Sequence, residues 1–133
     1  DIADRAIGFG MPGEIVDGHD FFAVHKAFAK AAERARAGEG PSLLEHKLDR
    51  FFGHFEGDNQ NYRPKGEVKR LREEVCCLKR FGAEVTDNHG VDQAQLSAID
   101  SEVATLIDEA VAFAENSPEP DLSDLTTDVY INY

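Results

Sequence analysis

Basic residues, cysteines and long apolar runs are what this 133-residue chain has least of, and each shortage removes a class of function. Fourteen Lys and Arg stand against 26 Asp and Glu, a formal net charge of −12 at pH 7. Non-specific binding to nucleic acid is driven by clustered cations, so nucleic acid is not an expected partner. No apolar run approaches the roughly 18 residues that cross a bilayer. No basic segment followed by an apolar one opens the chain either, so no membrane partner is expected and the sequence reads as cytoplasmic. Its two cysteines are neighbours, Cys76 and Cys77. Adjacent cysteines in a helix make at best a strained disulfide, and no CxxC spacing points to zinc; both are read as structural. There is no HExxH or other close ligand spacing, so His19, His25 and His46 are read as structural and no metal ligand is assigned. A nucleophile elbow and paired-base spacing are missing too, which argues against an Asp/His hydrolase. No repeat or low-complexity tract is present. The first residue is Asp1 rather than Met, as expected of a processed product or a piece of something longer.

What remains is 41% apolar, enough for one modest core. Ile2, Ala6 and Phe9 predict a short helix over residues 1–10. Gly8–Gly13 matches GxGxxG, but a dinucleotide fingerprint follows a strand and opens a helix. Here a helix precedes, extended Glu14-Ile15-Val16 follows, and Pro12 removes an amide, so the match is read as accidental. Ile15–Gly18 predicts a strand ending in a turn, with Asp20 as N-cap of a helix whose stripe is Phe21, Val24, Phe28, Ala31 and Ala35. Gly38–Pro41 ends that helix, and residues 42–48 resume as a strand. Strand, helix and strand in about 35 residues has the size of a parallel crossover unit, hence an α/β fold with a mostly parallel sheet flanked by helices.

Residues 49–64 form a loop that is too long and too chemically loaded for an ordinary connection. It carries Arg50, His54, Glu56, Asp58, Tyr62 and Arg63, and its aromatics Phe51, Phe52 and Phe55 argue for order. Beyond it, Val68, Leu71, Val75, Leu78 and Phe81 predict one helix over residues 67–81, followed by a turn region with a short extended piece to Gly90. The longest helix is expected over residues 92–116, its inward stripe running from Leu96 to Ala114 and its acidic face solvated. Ser117-Pro118 stops it, and residues 121–133 read as an extended apolar tail that packs on a partner. The expected organisation is an α/β half-domain over 1–64, a helical region over 65–120 and the tail over 121–133.

Several segments, in order and spacing, resemble the C-terminal half of the alpha subunit of thiamine-diphosphate-dependent 2-oxo acid and acetoin dehydrogenases. They are Gly10-Met11-Pro12-Gly13, Val16-Asp17-Gly18-His19-Asp20, Gly40–Glu45, Arg50-Phe51-Phe52-Gly53-His54 and Tyr62-Arg63. Phe55-Glu56-Gly57-Asp58 is most similar to the acetoin branch. The resemblance implies part of a thiamine-diphosphate-binding fold, with loop 49–64 closing an active-site mouth. It implies that Arg50 binds the cofactor diphosphate, that His54 is catalytic beside the thiazolium, and that Asp58, Tyr62 and Arg63 order the loop. The implied partners are a beta subunit, whose glutamate activates the cofactor, and a lipoyl-bearing acyltransferase that takes the acyl unit.

Phe55 stands where animal members carry a phosphorylatable serine, and Phe52 where some members have a second histidine. The family's Gly-Asp-Gly…Asn segment, which holds magnesium and the diphosphate, is not in this sequence. The chain alone is therefore expected to be inactive, and exposed sheet edges would make it a homo-oligomer if isolated. The alternative is a non-catalytic interaction module derived from such an enzyme.

Overall fold

In the computed structural model, which describes residues 1–129, the chain divides into two compact units, Asp1–Val91 and the segment from Asp92 onward. The first opens on a 3₁₀ helix, Ala3–Phe9, closed by Gly10 in the left-handed region. Strand β1 is Gly13–Asp17, helix α1 is Phe21–Arg36 and strand β2 is Leu43–Lys47. The strands pair in parallel, Gly13 opposite Leu43 and Asp17 opposite Lys47, with α1 as the crossover. This is the α/β arrangement expected from the sequence, reduced to two strands. The 3₁₀ helix packs on both strands, and the approach demands glycine: a Cβ at Gly13 would stand 2.3 Å from the Ala3 carbonyl oxygen. Thus Gly13 serves strand packing rather than phosphate binding.

Asp20 caps α1, its carboxylate accepting from the amides of Phe22 and Ala23. The face that α1 buries is offset from the expected stripe. Ala27 is buried and Val24 and Ala31 are half-buried, whereas Phe28 points outward. Small residues let the helix lie close to the strands. The buried apolar side chains of this unit are Ala3, Ala6, Val16, Ala27, Leu71 and Val85, a thin core.

Beyond the loop, the single helix expected over 67–81 is two: α2, Glu67–Glu74, and α3, Cys77–Asn88. The break lies at Val75–Cys76, where β-branched and cysteine residues give the helix little intrinsic support. Residues 82–88, expected as turn and extended chain, are helical. The break turns α3 so that Phe81 packs edge-to-face on Phe21 at 4.9 Å and stacks on Phe22 at 5.9 Å. Leu78 is left outward. His89, for which the sequence offered no partner, stacks on Phe22 at 5.3 Å. Cys76 and Cys77 are free thiols at the start of α3.

The second unit is helix α4, Gln93–Glu115, opened by a capping box of Asp92 and Gln95. Its expected inward residues Ile99, Val103, Leu106, Ile107 and Val111 are all exposed within the chain. Residues Leu122–Thr126 form a 3₁₀ helix, correcting the extended reading of the tail; an Asp121–Asp124 capping box pulls the segment into a turn. Tyr130, Ile131 and Tyr133 lie outside the described residues. No helix among the described residues is long and apolar enough to cross a membrane.

Candidate active-site loop

The loop leaves β2 through Asp49 and reaches α2 at Glu67, so its two ends are held by the sheet and a helix. At its stem, His19 Nε2 lies 3.1 Å from both the Asp49 amide nitrogen and Asp49 Oδ2. The imidazole proton decides which bond forms: unprotonated Nε2 accepts from the amide, and protonated Nε2 donates to the carboxylate. The turn that carries His19 is itself pinned. Arg80 of α3 donates to Asp17 at 3.1 Å and stands 3.7 Å from Asp20. The His19 amide bonded to Asp17, with help from Arg80, holds the Asp17 carboxyl below its ordinary value.

Within the loop the structure brings together all five residues singled out from the sequence. Arg50 donates from Nη1 to His54 Nδ1 at 3.0 Å, from Nη2 to the Tyr62 hydroxyl at 3.3 Å and from Nε to the Phe52 carbonyl at 2.9 Å. A guanidinium only donates, so in neutral His54 the lone pair is on Nδ1 and the proton on Nε2. Asp58 is the hub on the other side. Its Oδ2 accepts from the His54 amide and from the Tyr62 hydroxyl, each at 2.8 Å, and its Oδ1 accepts from the Gln60 amide at 2.9 Å. These bonds, the His54 amide foremost, hold the Asp58 carboxyl below its ordinary 3.8, with the Arg50 charge adding to them. Arg63 donates to the Arg50 carbonyl at 2.8 Å, tying the end of the loop to its beginning.

The backbone is shaped for this network. A Cβ at Gly53 would come within 2.7 Å of the Asp58 Cβ, so only glycine lets the carboxylate reach the His54 amide. Gln60 sits at φ 55°, a left-handed conformation costly for a non-glycine residue, and holds its amide on Asp58.

Two contributors lie outside the residues assigned to the loop from the sequence: His19, read there as structural and found hydrogen-bonded at the stem, and Arg72, which sequence reasoning missed. The Arg72 guanidinium lies over the rings of Phe52 at 4.6 Å and Phe51 at 5.8 Å, clamping the loop to α2. Neither contact has a local spacing that could announce it. Among the described residues no three His, Cys, Asp or Glu side chains converge as a metal site.

Comparison with known proteins adds an independent line. A sequence model of the family described as dehydrogenase E1 component matches residues 1–123. The alpha subunit of acetoin:2,6-dichlorophenolindophenol oxidoreductase from Cupriavidus necator is 55% identical over 130 residues, 98% of this chain and 39% of that protein. Its namesake from Bacillus subtilis is 46% identical, over 99% of this chain and 39% of that protein. The pyruvate dehydrogenase E1 component subunit alpha of Rhizobium meliloti is 38% identical, over 98% of this chain and 38% of that protein. The chain thus spans about two fifths of the length of these relatives.

Proposed function

Because the chain belongs to the dehydrogenase E1 component family, we propose that it is the active-site-loop portion of a thiamine-diphosphate-dependent alpha subunit. Its reaction is cleavage of acetoin or a 2-oxo acid, with the acyl unit passed to a lipoyl-bearing acyltransferase. Higher identity to the acetoin oxidoreductase subunits than to the pyruvate dehydrogenase subunit supports acetoin. The observation that carries the reading is the Arg50–His54 pair held in one network with Asp58 and Tyr62.

The residues present fit the cofactor's diphosphate. Arg50 has five N–H donors, of which Nε and one on each Nη have internal partners. Two remain, on an exposed side chain, in the fork geometry suited to phosphate oxygens. When bound, thiamine diphosphate supplies the electron sink for breaking the bond beside the substrate carbonyl. Arg50 holds the diphosphate end and fixes the His54 ring through Nδ1, leaving Nε2–H to deliver a proton to a developing oxyanion or take one back. Asp58, Tyr62 and Arg63 keep the loop in that geometry. Magnesium binds through residues outside this chain, and a beta subunit completes the site, so this chain alone turns over no substrate.

In the complete alpha subunit with its beta partner, His54→Ala should lower acyl transfer at least about tenfold, the low side of what general acid–base groups contribute. Cofactor binding should persist in that variant, because Arg50 is intact. Unchanged transfer would sink the role given to His54 and favour a non-catalytic interaction module.

A further inference from the structure

The turn between β1 and α1 presses against the exit of β2. The Gly18 amide donates to the Lys47 carbonyl at 2.8 Å, and a Cβ at Gly18 would stand 2.9 Å from that oxygen and 3.0 Å from the Leu48 Cβ. Glycine there brings His19 onto Asp49, the residue before Arg50. The half-buried imidazole meets two groups through one nitrogen, with Nε2 3.1 Å from the Asp49 amide nitrogen and 3.1 Å from Asp49 Oδ2. Among the described residues that amide has no other acceptor, and His19 Nδ1 has no hydrogen-bond partner. The titratable and charged groups about the ring are Asp17 from β1, Asp20 from the cap of α1, His46 and Lys47 from β2, Asp49 from the loop and Arg80 from α3. Arg80 is taken up by Asp17 and Asp20, and Lys47 by Asp1 and Glu45. Among the described residues Asp49 therefore has His19 as its one ion-pair partner.

We propose that His19 is a positioning residue for the loop: neutral, it holds the Asp49 backbone, and protonated, it lets that backbone go. The Asp49 amide needs a lone pair on Nε2, which the imidazole offers only when neutral with its proton on Nδ1. An imidazolium carries N–H on both nitrogens, so Nε2 turns to the Asp49 carboxylate and the amide is left to water. Side-chain torsions lie between that carboxylate and the chain, so the ion pair fixes the backbone less tightly than the amide bond does. Imidazole is the side chain that makes such a change near neutrality. The release is confined to the stem, because the Asp58 bonds inside the loop do not involve His19. Where it reaches the cofactor, the inference rests on the diphosphate role proposed for Arg50, which follows Asp49 in the chain.

The test is amide hydrogen exchange of the complete alpha–beta enzyme without cofactor. It is read at the single Asp49 amide at about pH 5.5 and about pH 8, on either side of the ordinary imidazole titration, and corrected for intrinsic exchange. Wild-type protection should be about fivefold greater at the higher pH, the worth of one hydrogen bond. In His19→Gln, whose Oε1 stands at the place of Nε2 and does not titrate, protection should be the same at both. His19→Leu should leave the amide unprotected at both. Equal wild-type protection at the two pH values, or a step that survives in His19→Gln, overturns the proposal. His54, the other imidazole that the loop carries, makes no bond to this amide. If the variants do not fold, the wild-type comparison decides by itself. The dissociation constant of thiamine diphosphate with magnesium, measured on the same enzymes, should rise more steeply toward the lower pH in wild type than in His19→Gln. A step at Asp49 with equal rises in both would sustain the role of His19 and remove Arg50 from the diphosphate.

Discussion

Asp58 is the side chain on which the order of the loop depends. One carboxylate accepts from the His54 and Gln60 amides and from the Tyr62 hydroxyl, so it fixes the backbone of the catalytic candidate and the partner of Arg50 together. Its folded-state pKa is depressed below 3.8. A depressed carboxyl contributes its stabilisation in full above the ordinary value and loses it as pH falls through the lower folded one. The loop should therefore stay ordered down to about pH 4 and open below it, read as loss of the near-ultraviolet circular dichroism of Tyr62. Asp58→Asn should show the open signal already at pH 7; a variant that keeps the wild-type signal would remove Asp58 from the centre of the network. The chain has no tryptophan, and a Tyr130→Phe/Tyr133→Phe background leaves Tyr62 as its one tyrosine, so that the band reports the loop. At this scale the sequence was unusually legible. Arg50, His54, Asp58, Tyr62 and Arg63 lie within fourteen residues, so a short stretch of chain both names and assembles them. The partners of His19, read only as structural, and of Arg72 were not legible, because they are Asp49 and Phe52, 30 and 20 residues away, where no spacing rule operates.

At the scale of elements, apolar periodicity found α1 and α4 but merged α2 with the start of α3, missed the helical residues 82–88 and the 3₁₀ helix Leu122–Thr126, and misjudged the faces. The parallel pair β1–β2 and the cap at Asp20 follow from local chemistry and were readable. The division of α2 from α3 was not, because Val75-Cys76 contains neither Pro nor Gly and the apolar spacing runs through it. Tertiary contacts decide it instead: α2 must present Arg72 to the loop while α3 presents Phe81 to α1 and Arg80 to Asp17. A straight helix cannot serve both. Helix α4 shows the opposite case, a long helix legible to within a residue at each end because its signals are local. Asp92 and Gln95 satisfy its first amides, and its interior contains no Lys or Arg to pair with its acids. Asp92→Ala should thus cost about 1 kcal/mol of helix stability. Amide hydrogen exchange should report it as lost protection confined to the first turns of α4, and unchanged protection there would show that the cap is dispensable.

Across the whole molecule the charge is divided as the contacts are. Residues from Asp92 on carry ten acids and no base, whereas the unit that holds the loop has all 14 basic residues. That first unit has a two-stranded sheet, a thin core and exposed Ile15, Phe28 and Leu48, far less burial than a parallel sheet normally enjoys on its two faces. Its relatives are about two and a half times as long as the stretch matched here, and in the proposed reading the rest of the alpha subunit and a beta subunit complete the framework. Ligand binding should expose this dependence. Thiamine diphosphate with magnesium, at 100 times its dissociation constant, should add about 2.7 kcal/mol to the stability of the complete alpha–beta enzyme. Thermal unfolding of the 133-residue chain alone should not shift, because in the proposed reading Arg50 supplies only one end of the diphosphate site, and among the described residues no three His, Cys, Asp or Glu side chains converge to hold the metal. Arg50→Ala in the complete enzyme should remove most of the shift at fixed cofactor concentration. A full shift in that variant would mean that the guanidinium serves the loop, through His54 and Tyr62, and not the cofactor.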